Sequence, residues 1–261
     1  MKIIVCIKQV PDTTEVKLDP KTGRLIRDGV PSIINPDDKN ALEEALRIKD
    51  ENPDTTVTVV SMGPPQADVA MREALAMGAD EAILISGREF GGSDTWATSY
   101  IIATAIKKIP DYDIIFCGRQ AIDGDTAQVG PQIAEQLNIP QITYVQKLDI
   151  EGDKVIVKRQ LEDGYTVVEA KMPVLLTAIK ELNTPRYMTP KGIFEAYNKT
   201  VQVWGFNDVP VDAEKIGLKG SPTNVNRTFS PEAKGKGIML EGADKETVKT
   251  LIAKLDEKHL L

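Results

Sequence analysis

Four short apolar runs, each followed by a helical pattern, constrain this chain more than any other feature. Lys2–Lys8 (KIIVCIK), Thr56–Met62 (TVTVVSM), Glu81–Ser86 (EAILIS) and Asp113–Cys117 (DIIFC) are almost continuously apolar, as strands buried on both faces must be. A helix is expected from Asn35-Pro36-Asp37-Asp38, which places an N-cap residue, a proline and two acids in order before Ala41, Leu42, Ala45 and Leu46. Further helices are expected over Gln66–Met77, ending at Gly78, over Asp94–Lys108, ending before Pro110, and over Thr126–Leu137, ending before Pro140. Strands alternating with helices imply βαβ units. The predicted class is α/β, a doubly wound and mostly parallel sheet.

The pattern changes after Gln141. Ile142–Ile150, Val155–Leu161 and Thr166–Ala170 alternate with period two around Glu151-Gly152-Asp153 and Glu162-Asp163-Gly164, which predicts a small antiparallel excursion. Pro173–Ala178 then reads as a core strand. Residues from Lys199 to Gly237 are rich in Gly, Pro, Asn and Asp and show little periodicity. The expected division is a nucleotide-binding α/β domain over 1–198 and an extended C-terminal arm over 199–261. The arm would wrap a partner and end in an amphipathic helix near Asp244–Leu255. Pro11–Ile34 reads as a hairpin inserted above the sheet, with turns at Asp19-Pro20 and Thr22-Gly23.

Composition narrows the chemistry. Lys plus Arg is 32 and Asp plus Glu is 39, a formal charge of −7, which argues against nucleic acid as a partner. Two cysteines and one histidine, His259, do not furnish the ligand set for zinc, haem or iron–sulfur. The longest apolar opening, Ile3–Ile7, is too short for a secretion signal or a membrane helix, so no membrane insertion and a cytoplasmic location are expected.

Candidate binding loops leave the strands on one edge, where open α/β sheets hold their ligands. The most informative is Cys117-Gly118-Arg119-Gln120-Ala121-Ile122-Asp123-Gly124-Asp125-Thr126-Ala127-Gln128-Val129-Gly130. A helix start at Thr126 with a nearby glycine suits a pyrophosphate; a plain strand–loop–helix turn with an Asp/Thr cap reads equally from the same residues. The loop after the third strand, Gly87 to Thr95, offers Phe90, Gly91, Gly92, Ser93, Asp94 and Thr95 as a second phosphate or nicotinamide site, or as a capped loop. Val10-Pro11-Asp12-Thr13 and Met62-Gly63-Pro64 complete the edge. Cys6 reads as a small core residue. A stand-alone nucleotide-binding regulatory domain and a nucleotide-using hydrolase or ligase share this pattern.

Lys2–Val10 (KIIVCIKQV), Asn35-Pro36, Ala74–Asp80 (ALAMGAD), Gly118–Asp123 (GRQAID), Leu182–Tyr187 (LNTPRY) and the region Val157–Ala178 together resemble the β-subunit of electron transfer flavoprotein over nearly the whole chain. Thr166 departs from that pattern, which usually has an acidic or amide residue there. The resemblance implies the Rossmann-like, adenine-nucleotide-binding form of the sheet. It also implies a heterodimer with an α-subunit that carries a flavin. A nucleotide, FAD or else AMP, would contact Cys6 (through its backbone), Asn35, Pro36, Asp37, Asp38, Met62 and Gly118 through Val129. Pro11, Asp12 and the Gly91–Thr95 loop look like the electron-bifurcating kind, which takes hydride from NADH. That kind passes electrons to a low-potential ferredoxin or flavodoxin and, through the α-subunit FAD, to an acyl-CoA dehydrogenase. The segment with Leu182, Asn183, Pro185, Arg186 and Tyr187 resembles the loop that docks on the dehydrogenase, with Leu182 expected as an exposed anchor. In this reading the flavin, and no side chain, carries the redox chemistry.

Overall fold

The computed structural model describes residues 1–12, 31–226 and 235–261. They fall into two compact units, Met1–Val225 and Asn226–Leu261.

The first unit is built on a sheet that begins with β1 (Lys2–Cys6). Two three-residue strands, β2 (Gln9–Pro11) and β3 (Ser32–Ile34), pair antiparallel beside it. They are the two ends of the expected hairpin; its turns lie outside the described residues. The chain continues through α1 (Pro36–Glu51), β4 (Thr56–Met62), α2 (Asp68–Met77), β5 (Glu81–Ile85), α3 (Thr95–Ile106), β6 (Ile114–Gly118) and α4 (Val129–Leu137). β7 (Gln141–Glu151), β8 (Lys154–Leu161) and β9 (Gly164–Lys171) form the antiparallel excursion, and β10 (Val174–Ala178) returns to the sheet. Then come α5 (Pro190–Asn198), β11 (Val201–Trp204) and the short α6 (Gly217–Gly220).

Among the described residues the main sheet has nine strands in the order β11-β5-β4-β1-β6-β10-β7-β8-β9. Every neighbouring pair from β11 to β7 is parallel, and the β7–β8 and β8–β9 pairs are antiparallel. The chain steps outward from β1 to β4 to β5, then crosses to β6 on the other side of β1. Two buried apolar clusters cover the sheet faces. One joins α1 and α2 to Val5, Val59 and Phe116; the other joins α3 and α4 to Ile4, Val60 and Ile115. The alternation along β1 and β6 therefore divides the residues between two cores, which is why these strands read as continuous apolar runs. The order reverses between β1 and β6, so their carboxyl ends open a crevice at a topological switch point.

The residues after 198 depart from a bare extended arm. Val201–Trp204 pairs in parallel with Ala82–Ile85 at the sheet edge, and Arg72 Nη1 donates to the carbonyls of Ala196 and Lys199, 2.7 Å each. The first compact unit therefore runs to Val225 rather than ending at 198. In the second unit, α7 (Lys245–Asp256) starts at Asp244, whose carboxylate accepts the Thr247 N–H at 2.8 Å. No helix of the described residues is long and apolar enough to cross a membrane.

Candidate nucleotide site at the switch point

Asp38 ties the two strand ends together. It sits in the first turn of α1 and is 7% exposed. Its Oδ2 accepts the Lys8 N–H at 2.8 Å and its Oδ1 the Gly118 N–H at 2.9 Å. Burial pushes its carboxyl up to about 7, against the pull of these N–H donors and of Asn35. Gly118 is required for the approach: a Cβ there would lie 2.2 Å from Asp38 Oδ1 and 2.6 Å from the Asp38 backbone nitrogen, closer than any side chain tolerates.

Asn35 does more than precede a helix. It is fully buried and makes no side-chain cap. Instead its Nδ2 donates to the Gln120 carbonyl at 2.8 Å, and its Oδ1 accepts the Ile122 N–H at 3.0 Å. It thus fixes the loop after β6 to the start of α1. Lys8 Nζ reaches Asp123 at 2.7 Å, and Arg119 Nε lies 3.4 Å from Asp37 Oδ2. Burial raises the Asp37 carboxyl, with Arg119 pulling it down.

The loop itself differs from its sequence reading. Helix α4 starts at Val129, not at Thr126. Asp125 and Ala127 both adopt the left-handed region at φ 53°, so the chain cannot be helical through Thr126, and the expected Asp/Thr cap is absent. Gln128 precedes the helix without a side-chain cap bond, and Pro131 within the first turn has no N–H to give. The start of α4 therefore presents backbone donors that no side chain of the described residues satisfies.

These elements enclose a cavity of about 380 Å³, within the range of roughly 300–1,000 Å³ usual for small-molecule sites. Of the expected residues, Cys6, Asp38, Met62, Ser93, Asp94, Thr95, Gly118, Arg119, Gln120, Ala121, Gly124, Thr126, Ala127, Gln128 and Val129 line it. Asn35, Pro36, Asp37, Ile122, Asp123 and Asp125 support the wall without lining it, and Pro11 and Asp12 are in β2 and just beyond it. Cys117 and Gly130, the two ends of the expected loop, line the cavity, as do Ile7, Lys8, Val60, Thr98 and Ile102, which are not among the expected contacts. Their signal is positional: Ile7, Lys8 and Val60 lie in the expected strands, and Thr98 and Ile102 lie about one and two turns along α3.

The glycine-rich loop divides. Ser93, Asp94 and Thr95 face the cavity, whereas Phe90 is 3% exposed in the core and Gly92 packs against Leu218. Asp94 caps α3 through the Ala97 N–H at 3.0 Å and accepts the Thr223 N–H at 2.9 Å.

The expected docking segment is pinned down on α1. Asn183 Nδ2 donates to Glu44 Oε2 at 2.8 Å, and Arg186 makes three bonds to Glu43, from its backbone N–H at 3.0 Å and its guanidinium at 2.9 and 3.1 Å, and one to Asp50 at 2.7 Å. Leu182 is 8% exposed and belongs to the core. The expectation of an exposed leucine anchor is thereby corrected: Tyr187, 96% exposed, is the large side chain this segment presents to solvent.

A cleft that tolerates close backbone approach, carries unsatisfied helix-start donors and has room for a small ligand fits the adenylate part of a nucleotide. Comparison with known proteins identifies the family. The electron transfer flavoprotein domain matches residues 22–209. An "Electron transfer flavoprotein subunit beta" of Thermoanaerobacterium thermosaccharolyticum is 62% identical, with all of both chains covered. The "Caffeyl-CoA reductase-Etf complex subunit CarD" of Acetobacterium woodii is 58% identical, and the "Acryloyl-CoA reductase electron transfer subunit gamma" of Anaerotignum propionicum 54%, each also over all of both chains. The chain belongs to the electron transfer flavoprotein family and is of its β-subunit type.

Proposed function

We propose that this chain pairs with a flavin-bearing α-subunit and holds an FAD of its own at the switch point. There it would receive hydride from NADH and divide the electron pair between a low-potential ferredoxin or flavodoxin and an acyl-CoA dehydrogenase. The observation that carries the binding reading is the uncapped start of α4 at a cavity that Asp38 also lines. Bound FAD would supply the hydride acceptance and single-electron chemistry; the protein supplies position and field.

The chain's own residues have definable parts. The N–H groups of Val129 and Gly130 and the positive end of the α4 dipole would face the pyrophosphate. Arg119, held by Asp37, adds positive charge without being free to swing away. Cys6, Met62, Val60 and Ile102 would form the apolar wall for the adenine. Thr95 Oγ1 donates to Gln128 Oε1 at 2.9 Å and so closes the cavity between α3 and the α4 loop. Ser93, Asp94 and Thr95 would line the approach for nicotinamide. The arm beyond Val225 would contact the α-subunit, and Tyr187 would lead the docking on the dehydrogenase. The names of the two CoA reductase relatives favour an enoyl-CoA type of substrate for that dehydrogenase. The chain would act in the cytoplasm, where reduced nicotinamide is at hand.

The alternative within the family is a carrier with AMP in this cavity and no reaction with NADH. Anaerobic titration of the purified heterodimer with NADH separates the two. Bleaching of flavin absorbance at stoichiometric NADH is the expected result. A heterodimer that keeps its flavin oxidised under NADH would overturn the hydride step and leave the AMP-bearing carrier.

A further inference from the structure

The chain's two cysteines, Cys6 and Cys117, lie side by side at the base of the cavity. The register of β1 and β6 pairs Ile3 with Ile114, Ile4 with Ile115 and Val5 with Phe116. The next step along both strands sets Cys6 against Cys117. In-register residues of parallel neighbours point to the same face, and both sulfurs fall in the apolar cluster on the α3–α4 side. Adjacent strands run about 4.8 Å apart, inside the roughly 4.4–6.8 Å between Cα atoms that a disulfide spans. Gly130 packs directly on the pair: a Cβ there would lie 3.4 Å from Cys117 Cβ and 3.7 Å from its Sγ.

Access is unequal. Cys117 is 5% exposed and Cys6 is partly exposed, and both line the cavity. An oxidant entering the empty cavity meets Cys6 first. Contact with Cys6 and burial push the Cys117 thiol up, which keeps it protonated as the resolving partner.

We infer that Cys6 and Cys117 form a redox-responsive dithiol, which a peroxide or a small-molecule disulfide oxidises to an intrachain disulfide when the cavity is empty and which a bound adenine nucleotide shields. With hydrogen peroxide, the Cys6 thiolate attacks one peroxide oxygen, the O–O bond breaks, and after proton uptake water leaves, giving the Cys6 sulfenic acid. The Cys117 sulfur then attacks the Cys6 sulfur. The S–O bond breaks, the thiol proton joins the departing hydroxide as a second water, and the S–S bond forms. The two thiols lose two electrons and the peroxide gains them. The shielding rests on the nucleotide reading above; the disulfide rests on strand register alone.

The test treats the full chain, with any copurifying partner retained and copurified nucleotide first dialysed away, with hydrogen peroxide in the presence and absence of AMP. Peptide mapping without reduction is the readout. The expected result is a peptide linked through Cys6 and Cys117, loss of both thiols of this chain, and slower linkage when AMP is bound. C117S should instead accumulate a dimedone-trappable sulfenic acid at Cys6, which wild type does not. Two surviving thiols, or cross-linked chains with no internal disulfide, would overturn the dithiol. Linkage unaffected by AMP at concentrations where AMP binds would overturn the shielding. Absence of AMP binding, with the internal disulfide still formed, would instead count against the nucleotide reading and leave the dithiol standing.

Discussion

Asp38 and Gly118 show how much of the site depends on single positions. Gly118 to Ala forces a methyl group onto Asp38, so either β6 or α1 must shift. Overpacking of this kind costs about 1–3 kcal/mol, and here it displaces the cavity wall itself. The variant should lose nucleotide on gel filtration and melt at a lower temperature; full nucleotide retention would show that the strand ends are not held as described. Asp38 carries a pH signature. Its carboxyl is raised from 3.8 to about 7 in the folded chain, so the folded state holds the proton more tightly than the unfolded state. Below the lower value both states are protonated and the group contributes no pH dependence. Between the two values the unfolded chain ionises first, and stability falls as pH rises, the loss being complete above about 7. Asp38 to Asn removes one acceptor and is expected to be less stable throughout, but denaturant midpoints measured across this window should flatten. An unchanged slope would assign the pH dependence elsewhere. The sequence marked both residues as contacts through family likeness. It could not show that they contact each other, because they are 80 positions apart.

At the scale of elements, legibility followed how local the determining forces were. Thr56–Met62 is read to the residue because the apolar run and the flanking polar residues bound it. The antiparallel β7–β8–β9 meander is read because its turns carry Gly next to acids. The start of α4 was misplaced by three residues, since a left-handed Ala127 has no sequence signal. β11 was missed because its parallel partner, β5, lies more than a hundred residues away and its neighbours are rich in Gly and Pro. The exposed Leu182 came from the likeness to a docking loop, which carries no information on packing, whereas Asn183 is held by Asn40 and Glu44. That correction separates two variants. Leu182 to Ala opens a core cavity and should cost about 2–5 kcal/mol in chemical denaturation. Tyr187 to Ala should leave stability and flavin content unchanged and slow electron delivery to the dehydrogenase. If Leu182 to Ala is stable and only delivery suffers, the segment must swing out of the core on docking.

For the whole molecule, the net charge of −7, the single His and the two Cys are compatible with chemistry carried by a flavin. An acidic chain can hold a pyrophosphate because helix-start N–H groups, not net charge, meet the anion. The order β5-β4-β1-β6-β10 sets the place of the cavity, and the two cores on either side of the sheet hold the strand ends that line it. The inventory of nucleotides released by denaturing the native complex tests this account most directly. Two FAD for each pair of α- and β-subunits is the predicted result. One FAD and one AMP would keep the cavity assignment and refute the proposed reaction with NADH; a single FAD with no second adenine nucleotide would contradict the site itself.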